Sequence, residues 1–406
     1  MLIRFAVATA LVAAAAAPAA SASADPTLFP AGAVVPDHDP FYTTPADLSG
    51  YRNGQPISGR EFTARFPTPV RAWQLSYRTT DSHGVPELAV TTVIVPLVPW
   101  TGGGPRPVIS EQIPEDATGT RCAPSYGIAT NTLQSGQQID PMLAAGWIVA
   151  VPDFEGPKSA FLAGPRSGHA VLDGMRAAGQ FAPADIGPDA AWALDGYSGG
   201  SAATGWAAQL QPSYAPELNI VGAAMGGAPA DLPALVDHID GGPFSGFLFG
   251  ALVAYRREFP EADIDALLDD RGHADLAAAA DSCVLELLAR FPFRALADII
   301  GHASYRDTAF GDTLRANSLG AVAPTIPIYD YHSDSDEIVP VGMDDELVDT
   351  WRRGGTPIIT LRDPIGEHAL EATARQSDAQ AFLRDRFTGE RPVENLDITR
   401  PVTGSF

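Results

Sequence analysis

The pentapeptide Gly196-Tyr197-Ser198-Gly199-Gly200 places a serine between small residues, directly after an apolar run at 191–194. An Ala-rich stretch with helical composition follows it and extends to about Leu210. A serine on a sharp strand-to-helix turn exposes its hydroxyl group, and flanking glycines allow the strained backbone of such a turn. Free amides at a helix N-terminus would favour a developing oxyanion. The pattern predicts that Ser198 is a nucleophile; a glycine-rich structural turn is the alternative.

A serine hydroxyl is a poor nucleophile by itself, so it needs a base, and the base needs an orienting carboxylate. In α/β sheets of this kind the order along the chain is serine, acid, histidine. His368 fits this order because it follows the apolar run 357–361 and precedes a helical stretch. The other histidines are more simply surface or packing residues: His38, His83, His169, His238, His273, His302 and His332.

The orienting carboxylate is expected in the loop after the apolar run 326–331. Asp336 is favoured because the apolar pair at 338–339 can anchor the loop and hold that carboxylate still. Asp334 in the same loop and Asp330 within the run are alternatives. We therefore predict that Asp336 orients the base.

An oxyanion hole needs two hydrogen-bond donors, and one is expected to be the backbone amide of Gly199, the residue after the nucleophile. The second donor is expected in the loop 111–116, which follows the apolar run 107–110. These residues alone leave the second donor open. The three glycines at 102–104 precede that run, and we interpret them as a turn.

The order of the predicted elements indicates a mostly parallel sheet with helices on both faces. An alternating run at 73–77 and a β-branched run at 89–96 predict an antiparallel pair before it. The parallel strands are expected at 107–110, 147–151, 191–194, 219–224, 326–331 and 357–361, with helices at 167–178, 200–210 and 368–384. This pattern is typical of the α/β-hydrolase fold.

The region 230–317 has helical spacing without a strand-like run, and a crossover between neighbouring strands needs far fewer residues. We interpret it as an inserted helical cap, between a first part of the core (25–229, with an extended lead-in) and a second part (318–406, with a C-terminal tail). Its apolar residues at 244 and 247–253 fit either a core or a surface that faces substrate: Phe244, Phe247, Leu248, Phe249, Leu252 and Val253.

The first 24 residues predict a signal peptide, and hence an extracellular protein. Arg4 precedes an apolar run at 5–20, and Ala22-Ser23-Ala24 forms a small-x-small cleavage pattern. An anchoring helix is the alternative, but Pro18 interrupts the Ala-rich run. No other stretch has the length and hydrophobicity of a transmembrane helix, so no membrane span is expected after cleavage.

Composition excludes some partners and cofactors. With 26 Lys and Arg against 49 Asp and Glu, the net charge of -23 would repel nucleic acids and anionic lipid surfaces. Cys122 and Cys283 are the only cysteines, and export favours a disulfide between them, with two buried free thiols as the alternative. Two thiols and scattered histidines do not predict a zinc site, and the chemistry implies no metal or other cofactor.

Taken together, the chain resembles the secretory lipase family of fungi and actinobacteria, lidded α/β-hydrolases that act on triacylglycerols. The resemblance covers nearly the whole chain after the leader. The matching segments together are specific for this family, although no single segment is. They are Asp39-Pro40-Phe41-Tyr42, Pro114-Glu115-Asp116, Cys122-Ala123-Pro124-Ser125, Asp153-Phe154-Glu155-Gly156-Pro157, Gly196-Tyr197-Ser198-Gly199-Gly200, Asp336-Glu337-Ile338-Val339-Pro340 and Gly366-Glu367-His368.

The resemblance implies a triad of Ser198, Asp336 and His368, with an oxyanion hole from Gly199 and Asp116. It also implies a Cys122–Cys283 bridge that ties the cap to the core, and a helical lid over an acyl-binding tunnel. For Asp116 the alternative is a loop residue that caps a helix. Fungal members often carry a second disulfide, for which this chain has no cysteines.

We therefore expect a secreted serine carboxylic-ester hydrolase, in particular a triacylglycerol lipase that forms an acyl-enzyme on Ser198. Its partner would be a lipid or other ester, with an oil-water interface as one setting. A short-chain esterase or an acyltransferase on the same scaffold is the nearest alternative. A non-catalytic binding protein with a hydrolase fold is a more distant one, and the residues do not exclude a peptidase.

Overall fold

A computed structural model describes residues 34–133, 136–301, 304–389 and 395–401. The predicted leader and His302 lie outside these residues. The centre of the described chain is a ten-stranded sheet. Its strands are β1 (Pro56–Phe62), β2 (Val70–Thr80), β3 (Pro86–Pro96), β4 (Val108–Gln112), β5 (Ile148–Pro152), β6 (Trp192–Tyr197), β7 (Ile220–Gly226), β8 (Ile328–Ser333), β9 (Ile358–Asp363) and β10 (Leu396–Thr399).

The strands are arranged in the order β1-β2-β3-β5-β4-β6-β7-β8-β9-β10. The first three form an antiparallel meander that joins β5, and every pairing from β5 onward is parallel. The carboxyl ends of β4, β6, β8 and β9 therefore lie at one edge of the sheet, where the loops after them meet. In this arrangement the residues after four strands can form one site.

Helices connect the strands and cover the sheet. They are α1 (Pro124–Thr130), α2 (Ile139–Ala144), α3 (Gly164–Gln180), α4 (Gly199–Tyr214), α5 (Leu232–Ile239), α6 (Gly246–Glu258), α7 (Ile264–Leu267), α8 (Asp270–Ala279), α9 (Val284–Arg290), α10 (Ala309–Ala316), α11 (Val341–Arg353), α12 (His368–Ala374) and α13 (Gln376–Phe387). Short 3₁₀ turns lie at Pro36–His38, Pro40–Tyr42, Thr120–Cys122, Gly156–Lys158, Ala182–Ala184, Pro260–Ala262 and Leu296–Asp298. None of the helices in the described part of the chain has the length and hydropathy needed to span a membrane.

The side chains of the central strands pack into two cores, one on each face of the sheet, because successive side chains of a strand point to opposite faces. On β4, Val108 packs in the core shared with α3, α4 and α11. Its neighbour Ile109 packs in the core shared with α1, α2 and α13. The sheet is therefore covered on both faces, as the sequence pattern predicts.

The region between β7 and β8 contains helices α5 to α10 and, among its described residues, an isolated bridge between Leu268 and Ile300 rather than a ladder. Its buried side chains form a third core with the segment 160–163 that follows β5. This helical content agrees with the expected composition of the region. The division of the chain into core and cap remains a prediction.

Two edge strands differ from the expectation. β1 begins within the predicted lead-in, residues 25 to about 60, and β10 lies in the predicted tail. Neither shows the apolar run of a central strand, and β10 is mostly exposed. The helix expected at 368–384 is divided into α12 and α13 at Arg375, the C-cap of α12.

Candidate active site

Ser198 lies on the turn between β6 and α4, at the carboxyl edge of the sheet. Its backbone is in a positive-φ conformation (φ 54°, ψ −126°) that a side chain rarely adopts. A Cβ at Gly196 would approach the carbonyl oxygen of Gly200 to 2.5 Å, and one at Gly200 would overlap the carbonyl oxygen of Gln112. The flanking glycines therefore let the turn pass close to α4 and β4, with the serine hydroxyl at its apex.

His368 and Asp336 extend from the hydroxyl of Ser198 in a hydrogen-bonded line. The Ser198 Oγ lies 2.9 Å from His368 Nε2, and His368 Nδ1 lies 2.6 Å from Asp336 Oδ2. His368 and Asp336 are buried, whereas Ser198 is half-buried. The structure thus brings together three residues that are 138 and 32 positions apart (198 to 336, and 336 to 368).

Asp336 is held by two further donors. Its Oδ1 accepts the backbone amides of Ile338 at 2.9 Å and Val339 at 2.7 Å. Although burial would raise its pKa, hydrogen bonds from His332 and His368 hold the pKa of this carboxyl well below its usual range. The side chain is therefore ionised at every pH at which His368 could act as a base.

The alternative acids do not contact His368. Asp330 is buried at the middle of β8, and its Oδ1 accepts a hydrogen bond from Arg362 at 2.6 Å. Asp334 is exposed in the loop after β8. The geometry selects Asp336 from the three candidates.

Two neighbours, neither of them predicted as a site residue, hold His368 in position. The Tyr197 hydroxyl donates to the carbonyl oxygen of His368 at 2.7 Å, and the two rings are 5.0 Å apart. The backbone amide of His368 donates to Glu337 Oε2 at 3.1 Å. Both are direct neighbours in sequence of the expected triad, which is the signal by which they could have been found.

The candidate oxyanion site lies between Gly199 and the loop after β4. Gly199 is the first residue of α4, so its amide has no acceptor within the helix. A Cβ at Gly199 would overlap Asp116 Oδ1, which places the Asp116 side chain against this residue. The structure therefore brings together the two residues expected to form the oxyanion hole.

The backbone amide of Asp116 already has an acceptor. It donates to Glu155 Oε1 at 3.0 Å, and the amide of Ala117 lies 3.5 Å from Glu155 Oε2. Glu155 is fully buried, and it belongs to the segment Asp153 to Pro157 that carries the family resemblance, where no role was predicted for it. The donor that Asp116 can offer to a substrate is consequently its side chain.

That side chain is neutral over much of the pH range. Burial raises the pKa of the Asp116 carboxyl to about 7, although nearby His368 opposes the rise. Its Oδ1 is buried without a hydrogen-bond partner. A neutral carboxyl group carries an O–H donor, so below about pH 7 this group can donate to an oxyanion.

A small apolar cavity opens beside Ser198. The segment after β5 contributes Phe161 and Leu162, α5 contributes Leu235 and Ile239, and α6 contributes Phe247. The rings of Phe161 and Phe247 are 6.3 Å apart. Of the apolar set at 244–253, Phe247 therefore faces the cavity and Phe244 is half-buried, whereas the remaining four are buried in the helical core: Leu248, Phe249, Leu252 and Val253.

A disulfide between Cys122 and Cys283 links the loop after β4 to the segment before α9, as predicted. Hydrogen bonds support the same connection, since Thr118 donates its amide to the carbonyl oxygen of Ser282 at 2.9 Å. Arg121 contacts Glu286 at 2.5 Å. The loop that carries Asp116 is thereby attached to the helical region.

One set of potential metal ligands occurs among the described residues. Asp81, His83 and Glu258 place ligand atoms within 4.8 Å of one another. Lys158 Nζ lies 3.0 Å from Glu258 Oε2 and 3.8 Å from Asp81 Oδ2. A lysine is therefore already paired with two of the three potential ligands.

Comparison with known proteins gives a consistent result. Residues 126–395 match the family model described as secretory lipase. Lipase 2 of Candida albicans is 35% identical over 396 residues, covering 90% of this chain and 84% of its own. The secreted triacylglycerol lipase LIP3 of Malassezia restricta is 32% identical, covering 88% of this chain and 80% of its own.

A probable inactive lipase of Mycobacterium tuberculosis is 33% identical over 88% of this chain and 83% of its own. Similarity of this degree therefore includes a relative described as inactive. Among solved structures, Candida antarctica lipase A superposes with a TM-score of 0.85 at 30% identity, covering 92% of this chain and 91% of that one. These findings confirm the α/β-hydrolase fold, the carboxylic-ester hydrolase class and the extracellular location, and the chain belongs to the secretory lipase family.

Proposed function

We propose that this protein hydrolyses lipid esters, in particular triacylglycerols, through an acyl-enzyme on Ser198. The observation that carries the proposal is the line of hydrogen bonds from Ser198 to His368 and on to Asp336, at 2.9 and 2.6 Å. These distances are within reach for direct proton transfer and for orienting the base. A non-catalytic binding protein would have no need of this alignment.

In the proposed reaction, the Ser198 hydroxyl attacks the ester carbonyl carbon while His368 Nε2 takes its proton. Asp336 stabilises the imidazolium that forms. The amide of Gly199 and the neutral carboxyl of Asp116 donate to the tetrahedral oxyanion. The imidazolium then protonates the leaving alcohol, and a water molecule activated by His368 releases the fatty acid and restores Ser198.

The apolar cavity supports an acyl chain as the group bound beside the nucleophile. Its side chains from α5 and α6 belong to the region 230–317, which we propose is a cap over the site. An apolar wall offers no hydrogen bonds to a polar substrate, so burial of methylene groups would supply the binding energy. Relatives named secreted triacylglycerol lipases support the same substrate class.

A substrate profile tests this proposal against its nearest alternative. p-Nitrophenyl esters of increasing acyl length are compared with emulsified triolein, for the wild type and for Ser198→Ala. The proposal expects activity on long-chain esters and on triolein, and none with the alanine variant. A maximum at acetate or butyrate with no triolein hydrolysis would assign a short-chain esterase instead.

A further inference from the structure

His332 is the histidine next to the candidate triad that the reaction does not use. It lies in β8 as the residue before the last, two positions after Asp330, so both side chains point to the same face of the strand. Its side chain is fully buried. The sequence pattern predicts it in the loop after the strand, as a surface or packing residue, whereas in the structure it belongs to the strand.

Both ring nitrogens of His332 face hydrogen-bond acceptors. Nε2 lies 2.9 Å from the carbonyl oxygen of Val339 and 3.2 Å from Asp336 Oδ2. Nδ1 lies 3.1 Å from Asp344 Oδ2. The same Oδ2 atom of Asp336 thus receives contacts from two imidazoles, one of which is His368.

This geometry requires a proton on each nitrogen of His332. A carbonyl oxygen can only accept, so Nε2 must donate. Burial would raise the pKa of Asp344, but the hydrogen bond with His332 and the charge of Arg362, whose NH2 group lies 3.2 Å from Asp344 Oδ2, lower it, so this carboxyl is ionised. Nδ1 therefore donates as well, and the ring is an imidazolium.

The charges around the ring agree with this state. Burial alone would lower the pKa of His332, but hydrogen bonds with Asp336 and Asp344 raise it to about 10. The other charged groups nearby are Arg362, Asp330 and Glu371. Burial raises the pKa of Asp330 and of Glu371 to about 7, so both are partly neutral near neutral pH.

We propose that His332 is a positioning residue that supplies a permanent positive charge to Asp336 and thereby tunes the base of the triad. Its imidazolium offsets part of the carboxylate's charge, so the carboxylate stabilises protonated His368 less. His368 then stays available as a base at lower pH than it would beside Asp336 alone. This inference rests on the proposed function of Ser198, His368 and Asp336.

Two neutral variants separate charge from hydrogen bonding. In His332→Asn the shorter amide can reach only the Nδ1 side, and in His332→Gln the longer amide reaches the Nε2 side. Both variants lose the positive charge but keep different contacts. The acidic limb of kcat/KM on p-nitrophenyl butyrate is expected to move up by about one pH unit in both, from Coulomb's law at this separation.

His169→Gln is the matched control, since it replaces a partly buried histidine whose contacts are with Thr80 and Tyr214, outside the site. The control should leave the acidic limb in place. A lower kcat with an unmoved acidic limb in the two His332 variants would mean that His332 only anchors the loop. That result would overturn the proposal.

The protonation state can also be read from the wild type without any activity. Nitrogen-15 NMR of labelled histidines should contain one ring with both nitrogens protonated up to pH 8, and that signal should be missing from whichever His332 variant folds. If every ring is neutral at pH 8, the proposal is wrong. Retained hydrolysis in Ser198→Ala would instead refute the proposed function, whatever the state of His332.

Discussion

The backbone amide of Asp116 donates a hydrogen bond to the buried carboxyl group of Glu155 at 3.0 Å, which leaves the Asp116 side chain as the donor that this residue can offer to substrate. Esterases with this fold commonly use two backbone amides for the oxyanion. Here one of the two would be a neutral carboxyl group, whose availability depends on pH. The account therefore predicts a pH dependence that a pair of amides would not give.

Asp116→Asn should remove that dependence. In the wild type, burial raises the pKa of Asp116 to about 7, so its O–H is present below this pH and is lost as the pH rises through it. Above about pH 7 the ionised group would also repel the oxyanion. The amide of Asn donates at every pH and tolerates the positive φ of 48°. We expect kcat/KM of the variant to lose the decline that starts near pH 7.

Asp116→Gly supplies the matched comparison, because glycine also accepts the positive φ but has no donor. It should reduce kcat by on the order of 10²- to 10³-fold, as removal of one oxyanion donor does elsewhere. Rates on a soluble ester across pH 5 to 10 check both variants. A wild-type decline that persists unchanged in Asp116→Asn would contradict the role of the carboxyl.

Tyr197→Phe tests whether the position of His368 depends on the hydroxyl of its neighbour. Loss of the 2.7 Å hydrogen bond to the His368 carbonyl should lower kcat by roughly 2- to 10-fold, which corresponds to about 0.5–1.5 kcal/mol. Tyr77→Phe removes a hydrogen bond of the same length and type, to Ala170, in the core away from the site. Both variants should lose similar stability, but only the first should lose kcat; equal kcat in the two would count against positioning.

Much of the site was predictable because its residues follow recognisable strands in a fixed order. Ser198, Asp336 and His368 each come shortly after an apolar run, and parallel pairing brings those strand ends together. His332 was not predictable in this way, because β8 extends two residues beyond its apolar run and so directs His332 inward. β1 and β10 were missed because edge strands bury too little to require an apolar pattern.

The sequence could not predict whether the backbone amide or the side chain of Asp116 is the donor to substrate. This depends on Glu155, 39 residues away in the chain and brought close by the neighbouring strands β4 and β5. Sequence reasoning could place Asp116 in the correct loop. Which of its groups is free is a consequence of tertiary contacts.

Removal of the Cys122–Cys283 disulfide should destabilise the protein. The bridge joins residues 161 positions apart, and closing so long a loop restricts the unfolded chain. Cys122→Ala with Cys283→Ala should lower the free energy of unfolding by about 2–5 kcal/mol. Urea denaturation with and without dithiothreitol checks this, since reductant should shift the midpoint of the wild type and leave the double variant unaffected. Coincident curves for all samples would exclude a stabilising bridge.

Glu111→Gln should change how stability depends on pH. Glu111 and Asp195 are opposite each other on β4 and β6, both buried. Burial, and then the charge of Asp195, raises the pKa of Glu111, and burial raises that of Asp195 from 3.8 to about 7. An acid whose pKa is raised by folding binds its proton more tightly in the folded state. Its contribution to the free energy of unfolding is therefore greatest at low pH and declines as the pH rises through its folded-state pKa.

The variant removes one of these two acids. Its free energy of unfolding relative to that of the wild type should therefore increase from pH 5 to pH 8. Thermal unfolding at both pH values gives the comparison, and the effects of groups that do not interact with Glu111 cancel in the difference. A difference in stability that is the same at both pH values would contradict the raised pKa of Glu111.

The most direct test of the account is whether the Ser198 hydroxyl is the nucleophile. A fluorophosphonate probe followed by peptide mass mapping is expected to place a single adduct on Ser198 in the wild type and in Ser213→Ala, which alters an exposed serine on the same helix. Ser198→Ala should carry no adduct and hydrolyse no ester. An adduct on another residue, or hydrolysis that survives in Ser198→Ala, would contradict the account.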